Sequence, residues 1–235
     1  MTVSSPAPLT LRGFTPPLRL SDFRLIAFDM DSTLITIECI DEIAAVAGKK
    51  AEVAAITEAA MRGEITDFKE SLRRRLALLQ GVPAQALEQV SAQRLRLSPG
   101  AEALVGACQR AGLKVLLVSG GFTYFARAVQ QRLGIDFMRA NELDIAEGHL
   151  TGRVRAQSWG TICDSAEKRR TLLEVASLIG AAPAQCIAVG DGANDLPMMG
   201  EAGLSVAYHA KPKVRAQAMV AIDEGGLDRL LEVVY

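Results

Sequence analysis

The sequence predicts an α/β protein, a doubly wound parallel sheet with a helical cap inserted after its first strand. Three observations carry this. Short apolar runs bounded by Gly, Asp or Asn recur along the chain, with helical patterns between them. Several of these runs end in polar residues, as strands feeding a ligand site do. One long stretch, residues 38–96, is almost wholly helical in pattern and sits between the first two strands.

Taken in order, residues 1–22 form a leader. Its first twenty residues hold four prolines and two arginines with no continuous apolar core, unlike a signal peptide. It is expected to be loosely ordered or to lie against the domain. The first strand spans Arg24–Met30. The helical stretch that follows is rich in Ala, Glu, Arg and Leu, with breaks at Gly48, Gly63 and Gly81–Pro83. A crossover needs one helix, so residues 38–98 read as a cap, the alternative being a further helical layer of the core. Residues 23–37 and 99–235 form the core. Its remaining strands are Leu113–Val118, Phe137–Ala140, Ala184–Val189, Leu204–Ala207 and Met219–Ala221, and alternation around Gly148 predicts a hairpin.

Composition narrows the function. The 235 residues are 49% hydrophobic and 23% charged, enough for a sizeable core. A net charge of −1 and 5% aromatics argue against nucleic acid as a partner. Cys39, Cys108, Cys163 and Cys186 are scattered without zinc-type spacing, which points to a reducing, cytoplasmic compartment. No apolar run approaches the roughly 18 residues of a membrane span.

The strand ends hold the chemistry. FDMDSTL puts Asp29 and Asp31 two residues apart, so both carboxylates can converge on one site. Close carboxylates repel and call for a cation, a shared proton or solvent. A hard divalent ion such as Mg²⁺ suits oxygen ligands beside phosphate. One carboxylate could then attack phosphorus while the other handles protons. Ser119, Gly120 and Gly121 end the second strand with a hydroxyl and backbone N–H groups that can hold a phosphoryl group. VGDGANDLPM adds Asp191, Asn194 and Asp195 past a third strand. Each motif alone also reads as a turn or helix cap, and Lys168 alone as a solvated lysine.

Together, DxDST, SGG, Lys and GDGxND in this order resemble the haloacid dehalogenase superfamily, whose Rossmann-like core would then be the fold. The segments FDMDSTLITIECIDEIA, VSGGFTYFA, ANELDI, LTGRV, VGDGANDLPMM and AGLSVAYHAKPKV are similar to its phosphoserine phosphatase family. With Arg24 opening the first strand, the N-terminal regulatory domain of larger members is not expected. The resemblance implies Asp29 as nucleophile and Asp31 as general acid and base. It implies Mg²⁺ held by the Asp29 carboxylate, the Asp31 backbone carbonyl and Asp191. Ser119, the Gly120 backbone and Lys168 would hold phosphoryl oxygens, Asn194 would help position them, and Asp195 would orient Lys168 or support the metal. Glu38 would bind the ammonium of O-phospho-L-serine and Arg75 its carboxylate. SLRRR leaves Arg74 as an alternative by one residue. Met61 and Phe68 resemble lid residues, and helix packing accounts for them equally. The motifs also admit phosphoryl transfer to a small alcohol such as homoserine, or hydrolysis of another small phosphomonoester. A receiver domain or an inactive scaffold fits less well, given Asp31, the long cap and the full set of expected side chains.

Overall fold

The computed structural model describes residues 9–61, 64, 65 and 67–235, and of residues 60 and 61 the backbone alone. The expected break at Gly63 and the side chain of Met61 therefore lie outside the described residues. Eight strands form one sheet: β1 (Thr10–Leu11), β2 (Leu25–Phe28), β3 (Lys114–Phe122), β4 (Phe137–Ala146), β5 (His149–Arg155), β6 (Cys186–Gly190), β7 (Leu204–Tyr208) and β8 (Val220–Ile222). Their spatial order is β1-β8-β7-β6-β2-β3-β4-β5. β2 pairs in parallel with both β3 and β6, and only the outer pairs β1·β8 and β4·β5 are antiparallel among the described strands.

The helices are α1 (Cys39–Val46), α2 (Lys50–Met61), α3 (Phe68–Leu78), α4 (Gln85–Gln93), α5 (Ala101–Arg110), α6 (Thr123–Leu133), α7 (Ser165–Leu178), α8 (Leu196–Met199) and α9 (Pro212–Gln217). The period-two alternation of the strands divides the core in two. Ile26, Phe28, Val115, Leu117, Ile187 and Val189 face α5 and α6, packing with Leu104, Phe125 and Val129. Leu25, Ala27, Leu116, Val118 and Ala188 face the other way, onto Leu172 and Val175 of α7 and Met198 of α8. Both faces are covered, which is why these strands are continuously apolar. β2 lies where the winding reverses, so the carboxyl ends of β2, β3 and β6 frame a crevice.

The four helices α1–α4 lie between β2 and β3. Their entry and exit are tied together: Thr36 N donates to Arg96 O (3.0 Å) and Ser98 N to Leu34 O (2.9 Å). Gly48 (φ 70°) and Gly81 (φ 79°) take the left-handed backbone that ends a helix cheaply only in glycine.

Two expectations needed adjustment. β2 stops at Phe28, not Met30, because residues 30–34 coil into a wide turn closed by Ile35 N on Met30 O (3.0 Å). The β4–β5 hairpin is longer than its turn signal suggested. The described part of the leader lies against the domain. Thr10–Leu11 pairs with β8 and covers the sheet edge, while buried Leu20 donates its N–H to Tyr235 O (2.8 Å). No helix of the described residues is long and apolar enough to cross a membrane.

Candidate active site

Asp29 follows β2 directly, and its N–H continues the ladder onto Val189 O (3.0 Å). Its carboxylate is buried. Oδ1 accepts from Met30 N (2.7 Å) and from Lys168 Nζ (2.7 Å). Asp31 stays extended (φ −65°, ψ 134°), and Ser32 then turns left-handed (φ 56°), an uncommon conformation for a side chain with a Cβ. Two bonds hold that turn: Ser32 N to Ile37 O (3.2 Å) and Ser32 Oγ to Glu38 Oε1 (2.6 Å). The two aspartates thus leave the strand end on an extended backbone, and the turn after them fixes their direction.

Lys168, on α7, is 0% exposed. It also reaches Asp195 Oδ1 (2.7 Å), whose other oxygen accepts from Gly192 N (3.1 Å). Burial works against the ammonium, yet Asp195 and Asp29 together hold its pKa above the ordinary value. Burial pushes Asp29 well above the usual carboxylate range, with Lys168 opposing and Asp195 and Asp191 adding to the rise. Asp191 is raised to about 6 by burial, then by Asp195 and Glu38. Asp31 is raised to about 7 by burial, then by the charge of Glu38. Its Oδ1 is buried with no hydrogen-bond partner among the described residues.

Carboxylate oxygens of Asp29, Asp191 and Asp195 lie within 4.8 Å of one another. Three carboxylates against one ammonium leave an excess of negative charge in a place that water reaches poorly. An all-oxygen donor set of that charge fits a hard divalent cation. The resemblance implied Asp29, Asp191 and the Asp31 carbonyl, with Asp195 orienting Lys168 or supporting the metal; the structure groups the Asp195 carboxylate with those of Asp29 and Asp191 and bonds it to Lys168.

Across the crevice, Ser119 is buried at the end of β3, its Oγ accepting from Gly121 N (2.8 Å). Neither following glycine has room for a side chain. A Cβ on Gly121 would stand 2.7 Å from Asp31 Oδ2, and one on Gly120 2.9 Å from Phe68 Cζ. Phe68 opens α3, so the insert touches the β3 end here. Asn194 folds its side-chain oxygen back over Gly192.

Two oppositely charged groups of the insert face this crevice. Glu38 precedes α1 and does not cap it, its carboxylate being held by Ser32. Arg75 is half-buried, and burial lowers its pKa against the opposing charges of Asp41, Glu38 and Asp31. Arg74 turns to solvent and pairs with Glu70 (2.8 Å). Of the two arginines, Arg75 is the one near Glu38 and Asp31.

Comparison with known proteins assigns the family. The haloacid dehalogenase-like hydrolase family matches residues 26–200. A phosphoserine phosphatase from Polaromonas sp. is 69% identical over 226 residues, covering 96% of each chain. The chain belongs to the phosphoserine phosphatase family of haloacid dehalogenase-like hydrolases. A solved phospho-aspartyl intermediate analogue of phosphoserine phosphatase superposes with a TM-score of 0.83 at 37% identity, covering 91% of this chain and 99% of that one. A substrate-bound phosphoserine phosphatase complex gives the same figures.

Within this phosphoserine phosphatase fold, two residues escaped sequence reasoning. Asn141 of β4 is fully buried. Its Nδ2 donates to Gly120 O (2.7 Å) and its Oδ1 accepts from Cys163 N (2.8 Å), stapling the β3 end to the approach of α7. A buried-strand asparagine inside ANELDI was the available signal. Lys211 donates its N–H to Asp191 O (3.0 Å), and its charge opposes the rise of the Asp191 pKa. That contact supplies the physical role that YHAKPKV lacked as bare sequence.

Proposed function

We infer that this chain hydrolyses O-phospho-L-serine to L-serine and phosphate through an aspartyl-phosphate on Asp29. The observation that carries this reading is a buried Asp29 clamped by Lys168 opposite Ser119 and Gly120, with Asp31 beside it at a pKa of about 7. In the first step an Asp29 oxygen bonds to phosphorus and the bond to the serine oxygen breaks. Asp31, half protonated near neutrality, gives its proton to that oxygen. In the second step Asp31, now a carboxylate, takes a proton from water as the water oxygen attacks the aspartyl-phosphate, releasing phosphate and restoring Asp29. Proton handling of this kind contributes about 10²–10⁴-fold.

Ser119 and the Gly120 backbone bind phosphoryl oxygens, with Lys168 neutralising charge beside them and Asn194 helping to position the group. Asp195 keeps Lys168 pointed at Asp29. Asp29, Asp191 and the Asp31 carbonyl would hold Mg²⁺, with Asp195 supporting them. The ion supplies positive charge against the repulsion between carboxylate and phosphate, roughly 4 kcal/mol per charge pair at about 4 Å and an effective dielectric near 20. Glu38 receives the substrate ammonium and Arg75 its carboxylate, as a planar guanidinium can do bidentately. The insert of residues 38–98 acts as a cap, with Phe68 excluding water above Gly120. Four buried, unbridged cysteines support a cytoplasmic setting.

The test is phosphate release from O-phospho-L-serine beside other phosphomonoesters, with Mg²⁺, with chelator, and with an added alcohol acceptor. Preference for phosphoserine by orders of magnitude, abolished by chelation, is expected. Phosphate appearing on the alcohol in place of solution would assign a transferase instead. Equal turnover of esters lacking the amino-acid group would overturn the substrate assignment.

A further inference from the structure

We propose that the ion pair between Lys69 and Asp164 is the latch that holds the amino end of α3 down on the phosphate-binding face, and that it thereby sets substrate affinity. The proposal rests on the reading of the site given above. Lys69 belongs to the insert, Asp164 to the core, and their charged atoms are 3.0 Å apart.

The two ends of α3 are attached differently. Beyond its carboxyl end, backbone bonds stitch the insert to the β4–β5 hairpin: Gly81 N to Leu150 O, Leu150 N to Val82 O and Ala84 N to Gly148 O, each 2.8 Å. Gly152 (φ 78°) has no side chain, and the helix backbone uses the space; a Cβ there would stand 3.2 Å from Leu76 O and 3.3 Å from Ala77 Cα. This end is a fixed anchor. The other end lies about 16 Å away along an 11-residue helix. There Phe68 rests on Gly120, and Lys69, the next residue, spans to the core. A lever fixed at one end and clipped at the other opens when the clip is released.

Asp164 also joins the clip to the chemistry. Its Oδ1 caps α7 by accepting from Glu167 N (2.8 Å), while Oδ2 takes Lys69. α7 is the helix that presents Lys168 to Asp29. Against the cost of burial, the Glu167 N–H and Lys69 hold Asp164 below its ordinary pKa, so it stays charged at neutral pH. The pair is partly exposed, at 39% and 18% for the two side chains. Its strength therefore falls with salt.

The experiment compares wild type, Lys69→Met, Asp164→Ser and the double variant. Serine keeps the helix cap while removing the charge. Steady-state hydrolysis of O-phospho-L-serine is measured at low and high NaCl, and hydrogen exchange of α3 and α7 amides is followed separately. Each single variant should raise KM roughly two- to fivefold at low salt, as an exposed pair's coupling allows, with kcat changed by less than about twofold. The double variant should be no worse than either single. High salt should raise the wild-type KM by a larger factor than it raises theirs, so that the difference closes. The α3 amides should exchange faster in all three variants, while α7 keeps wild-type protection. A wild-type KM in Lys69→Met, additive effects in the double variant, or unchanged α3 exchange would overturn the latch. A wild type that releases no phosphate from phosphoserine would instead sink the functional reading, and the exchange comparison would still decide the latch.

Discussion

Replacing Lys168 with Met tests the electrostatic centre of the site. The ammonium is fully buried and 2.7 Å from both Asp29 and Asp195, and Asp191 lies in the same cluster. Met keeps most of the volume and removes the charge, leaving three carboxylates without their cation. Breaking a buried pair in this way costs about 3–5 kcal/mol. For a chain of this size that is a fall in Tm of roughly 6–20 °C at pH 8 in chelator. The cost should depend on pH in a definite sense. Lys168 has a raised pKa in the folded state, so in wild type its contribution is fully present throughout pH 5–8 and is lost only well above that window. In the variant the carboxylates lose the charge that holds their pKa values down. Asp29 and Asp191, already raised by burial with Lys168 opposing, then have folded pKa values further above their unfolded ones, which destabilises the fold at pH 8 and is relieved as protons bind toward pH 5. The difference in Tm between variant and wild type should thus shrink on acidification, and divalent cation should narrow it at pH 8. Thermal denaturation at half-unit pH steps reads this directly. A difference that stays constant from pH 8 to 5 would mean that Lys168 acts by packing alone, and the charge argument would fail.

Two further substitutions probe the periphery. Arg75→Ala should raise KM for phosphoserine by about 10- to 100-fold, the worth of hydrogen bonds to a charged group. It should have little effect on phosphoethanolamine, which has no carboxylate, and Arg74→Ala should affect neither; equal losses on both esters would remove Arg75 from carboxylate recognition. Gly190→Ala would place a methyl against the Asp195 carboxylate, 2.6 Å from its Cβ. It should cost about 1–3 kcal/mol in denaturant unfolding and lower kcat through a displaced Lys168, whereas an unaltered kcat would show that Asp195 does not position the lysine.

The middle of the sheet was legible because β2, β3, β6, β7 and β8 are buried on both faces and read as apolar runs between polar ends. The candidate site was legible because acidic and small residues recur at three of those ends in one order, where each motif alone reads equally as a turn or helix cap. What escaped is what long-range pairing decides. Thr10–Leu11 has no strand signature and pairs only because β8 offers a free edge. Nothing local announces that Asn141 will bridge Gly120 and Cys163, since the partners meet only after the sheet assembles; the pairing of Asp195 with Lys168 was legible through the family resemblance alone.

The arginine run is a different case, because helix geometry by itself separates Arg74 from its two neighbours. Leu72, Leu76 and Leu79 recur at helical spacing and are buried. At about 100° per residue, Arg74 lies roughly 160° from both Leu72 and Leu76, on the opposite face. Arg75 lies about 60° from Leu72 on the same scale, at the flank of the buried stripe. A side chain on that flank can bury its stem and still turn its guanidinium into the crevice. The structure follows this arithmetic: Arg74 meets Glu70 one turn back in solvent, while Arg75 is half-buried and feels Glu38 and Asp31. Arg73, on the other flank, is exposed beside Gly152 and the hairpin. Of the three consecutive arginines, the helical period removes Arg74 and the hairpin neighbours Arg73, which leaves Arg75 beside Glu38 and Asp31.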